Sequence, residues 1–287
     1  MIRHVFSFAL VAISIFTACS PSQQEEKSNA QAKIITAGGT ITEVVDALGF
    51  SDQIIATDIT STYPAAMQNL PSIGYRNQIK AEGILALGPD IVLIEEGYLT
   101  PDVVTQLKAA QVNIHVFAKP STVDGSKKLV TDLAAFFDEE EKGKEINASI
   151  DADIASLETY LESQESQPRA IFVMARGPET VFIAGDKTFA SEMFKLAEIE
   201  GTATGFDEFA PLAPESLVSM NPEYLVFFES GIQSLGGKDG LVAIQGIDQT
   251  TAHKEGNIVS LDGQYLSGFG PRVGKAALDL AKAVRKQ

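Results

Sequence analysis

The stretch AEGILALGPDIVLIEE at 81–96 returns 133 positions later as APESLVSMNPEYLVFFE, at 213–229. Glu82 matches Glu215, Ile84 matches Leu217, Leu87 matches Met220 and Pro89 matches Pro222. In both copies a proline closes a helical pattern and leads into an apolar strand, because proline lacks the backbone donor a helix needs. A repeated helix-to-strand unit predicts two similar α/β lobes.

The rest of the chain fits that scheme. IITAGG (34–39) reads as a strand, and Ile41, Val44, Val45 and Leu48 then share one helical face that Gly49 terminates. Further strands are expected at 54–58, 91–97 and 113–118, with a helix over 101–111. In the second half AIFVMA (170–175) and YLVFFESG (224–231) read as strands and FASEMFKLAEI (189–199) as a helix. Strands alternating with helices predict parallel sheets with crossover helices. Between the halves, Ile146, Ile150, Ile154, Leu157 and Leu161 form one apolar stripe. The acidic run Glu139–Glu141 suits the start of that helix. A long helix midway between two similar lobes predicts a connector laid across both, which limits hinge opening. The expected boundaries are an N-terminal lobe at 33–138, a connector at 139–165 and a C-terminal lobe at 166–287.

The first residues read as an address. Arg3 precedes an apolar stretch from Val5 to Phe16, and the small Ala18 precedes Cys19. Such a stretch makes about 18 Å of helix, too short for a hydrocarbon core of about 30 Å. Residues 1–18 are therefore expected to be a removable export signal. The Cys after a small residue resembles a bacterial lipobox, with Phe16 where leucine is usual, and implies lipidation of Cys19. Residues 19–32 are too polar to bury a core and read as a flexible tether to a membrane surface. The expected location is periplasmic or otherwise extracytoplasmic.

Composition removes whole classes of function. With 22 Lys+Arg against 38 Asp+Glu the net charge is −16, which repels phosphate backbones and excludes nucleic acid as a partner. A single cysteine permits no internal disulfide and no thiolate-rich zinc site. There is no GxSxG, GxxxxGK[ST] or HExxH, and Gly268-Phe269-Gly270 lacks the rest of a dinucleotide fingerprint. Of the 3 histidines, His4 leaves with the signal, His115 lies in a strand pattern and His253 in a polar turn. A catalytic role is not expected.

Three segments carry a resemblance: GGTITEVVDALG (38–49), STYPAAMQNLPSIGYRNQIKAEGILALGPDIVL (61–93) and LSGFGPR (266–272). Together they closely resemble periplasmic haem-binding proteins of ABC importers, over about 33–285. LPSIGYRNQ followed by AEGILAL is more particular to the haem branch than to its siderophore and cobalamin relatives. The resemblance implies two Rossmann-like lobes joined by a single long helix, the class III periplasmic-binding-protein type. It implies haem b as a transported ligand and, as partners, an ABC permease with its ATPase subunits. A monomer is expected.

Read alone, Tyr75 is a turn or cleft-rim tyrosine after Pro71 and Gly74. The resemblance implies that it is the axial ligand of the haem iron. Ferric iron takes phenolate well, but a free phenol ionises only at about pH 10, so the iron and nearby cations must help. Arg76, Lys80 and Arg176 are candidates. Some relatives add a histidine after the strand equivalent to 170–175; here MARGPETV offers Arg176 instead, so single ligation is expected. Tyr98 is the alternative ligand. Tyr265, Phe269 and Arg272 lie in a segment that resembles a cleft-facing one. Glu82 and Glu215, one per lobe, match the acids that dock such proteins to arginines of a permease. First-turn helix carboxylates would look the same. The competing readings are a siderophore or cobalamin carrier, an exported α/β hydrolase relying on His115 or His253, and a lipoprotein without ligand.

Overall fold

The computed structural model describes residues 31–285. The signal segment, Cys19 and all but the last two residues of the tether lie outside the described residues. In chain order the first half comprises β1 (Ile34–Ala37), α1 (Gly39–Ala47), β2 (Ile54–Thr57), α2 (Ala81–Ala86), β3 (Ile91–Glu95), α3 (Pro101–Ala109), β4 (Asn113–Phe117) and α4 (Val123–Phe136). Next comes α5 (Glu140–Glu162). The second half holds β5 (Arg169–Ala175), β6 (Val181–Ala184), α6 (Phe189–Leu196), β7 (Glu200–Gly201), β8 (Phe209–Pro211), α7 (Pro214–Met220) and β9 (Tyr224–Phe228). It continues with α8 (Glu229–Ser234), α9 (Thr251–Lys254), β10 (Ile258–Leu261), α10 (Gly263–Ser267) and α11 (Val273–Ala283).

The first sheet is four-stranded, in the order β2-β1-β3-β4. Its pairings are all parallel, as the alternation with helices requires. The second runs β10-β9-β5-β6-β8, with β7 beside the start of β5. Here the expectation of a parallel sheet holds only for β10, β9, β5 and β7. A tight turn folds β6 back antiparallel on β5, and β8 pairs antiparallel with β6. The run expected as one strand to Gly231 breaks at Phe228, where Glu229 opens α8.

Strand periodicity sorts the core into three clusters. Ile35, Val92 and Ile94 face one way and pack with Ile84 and Leu107. Ile171, Val173, Leu225 and Phe227 do the same against Leu217 and Ile232. The opposite faces share one cluster: Ile34 and Leu93 from the first sheet, Phe172 and Val226 from the second, and Leu133, Ile150, Leu157 and Leu280 from the helices between. α5, 23 residues or about 34 Å long, packs on α4 and α11 within this shared core. Its stripe points inward: Ile150 is fully buried and Leu157 and Leu161 nearly so. Two glycines allow the close crossings. A Cβ at Gly143 would lie 2.5 Å from the Ala134 Cβ, and one at Gly274 would lie 2.9 Å from the Ile154 backbone nitrogen. The lobes are therefore joined by a continuous packed core.

Candidate functional site

Parallel strands carry their ligand-binding loops at their carboxyl ends. Here those loops are 38–39, 58–63, 71–76 and 96–100 from the first sheet, and 176–180, 229–234 and 262–270 from the second.

The segment bearing Tyr75 is held by an extension of β2. Thr57 donates to the Pro71 carbonyl, Ile73 to Thr57 and Ile59 to Gly74, at 3.1, 2.9 and 3.0 Å. Gly74, at φ 108°, takes a backbone conformation that side chains disfavour. Arg76, at φ 31°, takes a left-handed one despite its side chain. The reversal leaves Tyr75 half-buried at the start of a single turn, Arg76–Gln78.

Arg176 arrives from the other lobe at the β5–β6 turn. Its backbone nitrogen donates to the Thr180 carbonyl, and Gly177 donates to Ser234 Oγ on α8. From there Arg176 Nη2 donates to Tyr75 Oη at 3.3 Å. The structure thus brings together two of the expected residues, 101 positions apart.

Arg76 is the third. Its guanidinium carbon lies 5.2 Å from the ring centre of Tyr98, a cation–π distance. Tyr98 itself is 6% exposed, and its hydroxyl shares a 2.6 Å hydrogen bond with Thr60 Oγ1. Burial, then the nearby Asp58 carboxylate, push its phenol far above the usual range, so the neutral form is favoured.

The other residues expected on the ligand surface have partners within the protein. Phe269 is 1% exposed and belongs to the shared core; a left-handed backbone at φ 51° turns its ring inward. Arg272 forms a two-toothed ion pair with the buried Glu43 of α1, Nε–Oε1 at 2.7 Å and Nη2–Oε2 at 2.8 Å. Its guanidinium also lies over two rings, with its carbon 3.6 Å from the Tyr63 centre and 4.9 Å from that of Tyr265. Tyr265 donates its hydroxyl to Asp279 on α11 at 2.7 Å, and burial followed by that hydrogen bond raises its phenol strongly. Their sequence signal was a loop rich in glycine, which looks exposed but here closes over the core.

Sequence reasoning missed five contributors. Ile59, 63% exposed, and Tyr63, 41% exposed, lie in the loop after β2, with Ile59 bonded through its backbone to Gly74 of the Tyr75 segment. Gln264 of α10 fastens the lobes: its Oε1 accepts from the backbone of Thr62 and Tyr63 at 2.8 and 3.0 Å, and its Nε2 donates to the Gly39 carbonyl at 2.8 Å. Beneath the loop, Asp58 accepts from the Gly38 and Thr60 nitrogens and from Ser61 Oγ. Glu95 accepts from the Thr40 nitrogen at the start of α1.

Glu82 and Glu215 make none of these contacts. Both are exposed in the first turns of α2 and α7. His115 packs edge-on against Phe136, with ring centres 4.5 Å apart. A separate cavity of about 120 Å³ lies among Ala184, Asp186, Phe194 and Lys195, too small for a drug-sized ligand. Among the described residues no group of three or more His, Cys, Asp or Glu is placed to hold a bare metal ion.

The periplasmic heme-binding protein RhuT from Roseiflexus sp. RS-1, in apo form, superposes with a TM-score of 0.85 at 33% identity, covering 88% of this chain and 98% of its own. The periplasmic heme-binding protein BhuT, in complex with two hemes, gives 0.82 at 30% identity, covering 88% and 97%. Among curated relatives, the ABC transporter substrate-binding lipoprotein YvrC of Bacillus subtilis is 20% identical, over 88% of this chain and 79% of its own. A cobalamin-binding protein of Halobacterium salinarum is 21% identical, over 88% and 69%. The family described as periplasmic binding protein matches residues 34–265, so the chain, with its two α/β lobes on one long helix, belongs to that family.

Proposed function

We propose that this binding protein captures one ferric haem in the groove between its lobes, with Tyr75 as the single axial ligand, and hands it to an ABC permease. It binds and releases its cargo without transforming it. The observation that carries the reading is the meeting of Tyr75 Oη with Arg176 Nη2 across the groove. A tyrosine oxygen is a donor that a hard ferric ion takes well, and Arg176 meets it from the other lobe. Arg76 and Arg176 also supply positive charge for the two propionates, on a chain whose net charge is −16. Ile59 and Tyr63 offer apolar surface for the macrocycle. Tyr98 is a poor ligand by comparison, since its hydroxyl is buried, engaged by Thr60 and held neutral. Tyr265 and Arg272 act behind the groove, the first on Asp279 and the second on Glu43 and Tyr63.

Delivery completes the reading. Glu82 and Glu215 dock to basic residues of the permease, and Cys19, once lipidated, holds the extracytoplasmic protein at the membrane. Titrating the chain with hemin, cyanocobalamin and a ferric hydroxamate separates the cargoes. Saturable one-to-one uptake of hemin alone supports the reading. Saturable binding of cobalamin or of the hydroxamate in its place overturns it.

A further inference from the structure

Besides Val116 and Val242, the large apolar side chains left exposed outside the loop after β2, among the described residues, are Leu85 at 39% and Val218 at 36%. They occupy equivalent places in the two copies of the repeat, 133 positions apart. Each lies three residues after an exposed glutamate, Glu82 or Glu215, and three residues along a helix is the same face. The orientation is enforced from below. Ile84 and Leu217, one residue earlier, are fully buried, which turns each Glu–aliphatic pair outward. α2 leads through Pro89 into β3 and α7 through Pro222 into β9, both central strands of their sheets. A crossover helix runs opposite to its strands, so both pairs lie toward the strand ends that carry the groove.

We propose that Glu82–Leu85 and Glu215–Val218 are two copies of one amphipathic docking element. Each fits the same site on one half of a two-fold permease: a basic residue for the carboxylate, beside an apolar pocket for Leu85 or Val218. This rests on the reading of the chain as the binding component of an ABC importer, and it names what that partner presents. Exposed ion pairs alone contribute little and weaken with salt. An apolar side chain seated beside the pair excludes water from it, as energetically dominant interface residues do. The duplication of the acid and the aliphatic residue together, on a chain with one copy per lobe, is the pattern a two-fold partner requires.

The test measures docking of the full lipidated chain to its own permease–ATPase complex in nanodiscs, at two salt concentrations, with Leu85→Ser, Val218→Ser and the double variant beside Glu82→Gln. Hemin titration of each variant serves as the folding control and is expected to match the parent chain. The proposal expects each serine variant to weaken docking about tenfold, the double variant more, and the residual salt dependence of docking to survive in them. Serine variants that dock like the parent while Glu82→Gln does not would overturn the amphipathic element and leave the importer reading standing. A parent chain that fails to dock at all would overturn both.

Discussion

Arg272 and Glu43 are joined by two parallel hydrogen bonds, at 2.7 and 2.8 Å, between the start of α11 and the middle of α1. Glu43 is 4% exposed, so the pair fixes the C-terminal segment to the first lobe from inside. Removing one partner strands a buried charge. Arg272→Ala is expected to cost about 3 kcal/mol in a denaturant melt, and Arg272→Lys less. An unchanged midpoint for Arg272→Ala would show the pair to be idle.

The connector makes a second demand. A Cβ at Gly274 would meet the Ile154 backbone nitrogen at 2.9 Å and the Asp153 Cβ at 2.8 Å, and neither can swing away as a flexible side chain can. Gly274→Ala should therefore destabilise the chain by about 1–3 kcal/mol through overpacking. Alanine is the better helix former, so a more stable variant would contradict the tight crossing of α11 on α5.

A pH effect follows from Glu95. Burial, only partly offset by Lys119 and the Thr40 and Ile41 amides, raises its carboxyl above the ordinary value of 4.5. A raised folded value means the contribution is complete below the unfolded value and is lost as pH climbs through the folded one. Glu95→Gln keeps a carbonyl-type acceptor for Thr40 and removes the titration. Its melting temperature should gain on the parent chain from about pH 4.5 upward, measured by calorimetry across pH 4–8. Parallel curves would count against a raised Glu95.

Much of the fold was legible because periodicity is local. The repeat that links α2–β3 to α7–β9, and the stripe from Ile146 to Leu161, each depend on residues within a few turns. What escaped depends on distance along the chain. Gln264 looks like any polar loop residue until the Thr62 loop, 202 positions away, is brought to it. Phe269 sits between glycines and reads as a loop aromatic, yet its carbonyl accepts from Ser126 and its ring fills the core. The antiparallel β6 and β8 are short and carry no crossover helix to announce them. Tyr75 was recognisable only through its surrounding segment, and Arg176 only as one of several nearby cations.

The aromatic under Arg76 gives a further test. Tyr98→Phe removes the hydroxyl from Thr60 but keeps the ring 5.2 Å from the guanidinium carbon. Hemin bound to it should show an unaltered absorption spectrum, with affinity within about fivefold of the parent, since one neutral hydrogen bond is worth about 1 kcal/mol. A changed iron spectrum would make Tyr98 the ligand.

Ligation of ferric haem by Tyr75 is read directly by resonance Raman spectroscopy of the hemin complex. The parent chain should show tyrosinate modes of a high-spin ferric centre, and Tyr75→Phe should lose them while its fold, followed by circular dichroism, stays intact. Tyrosinate modes that persist in Tyr75→Phe would rule out Tyr75 as the ligand.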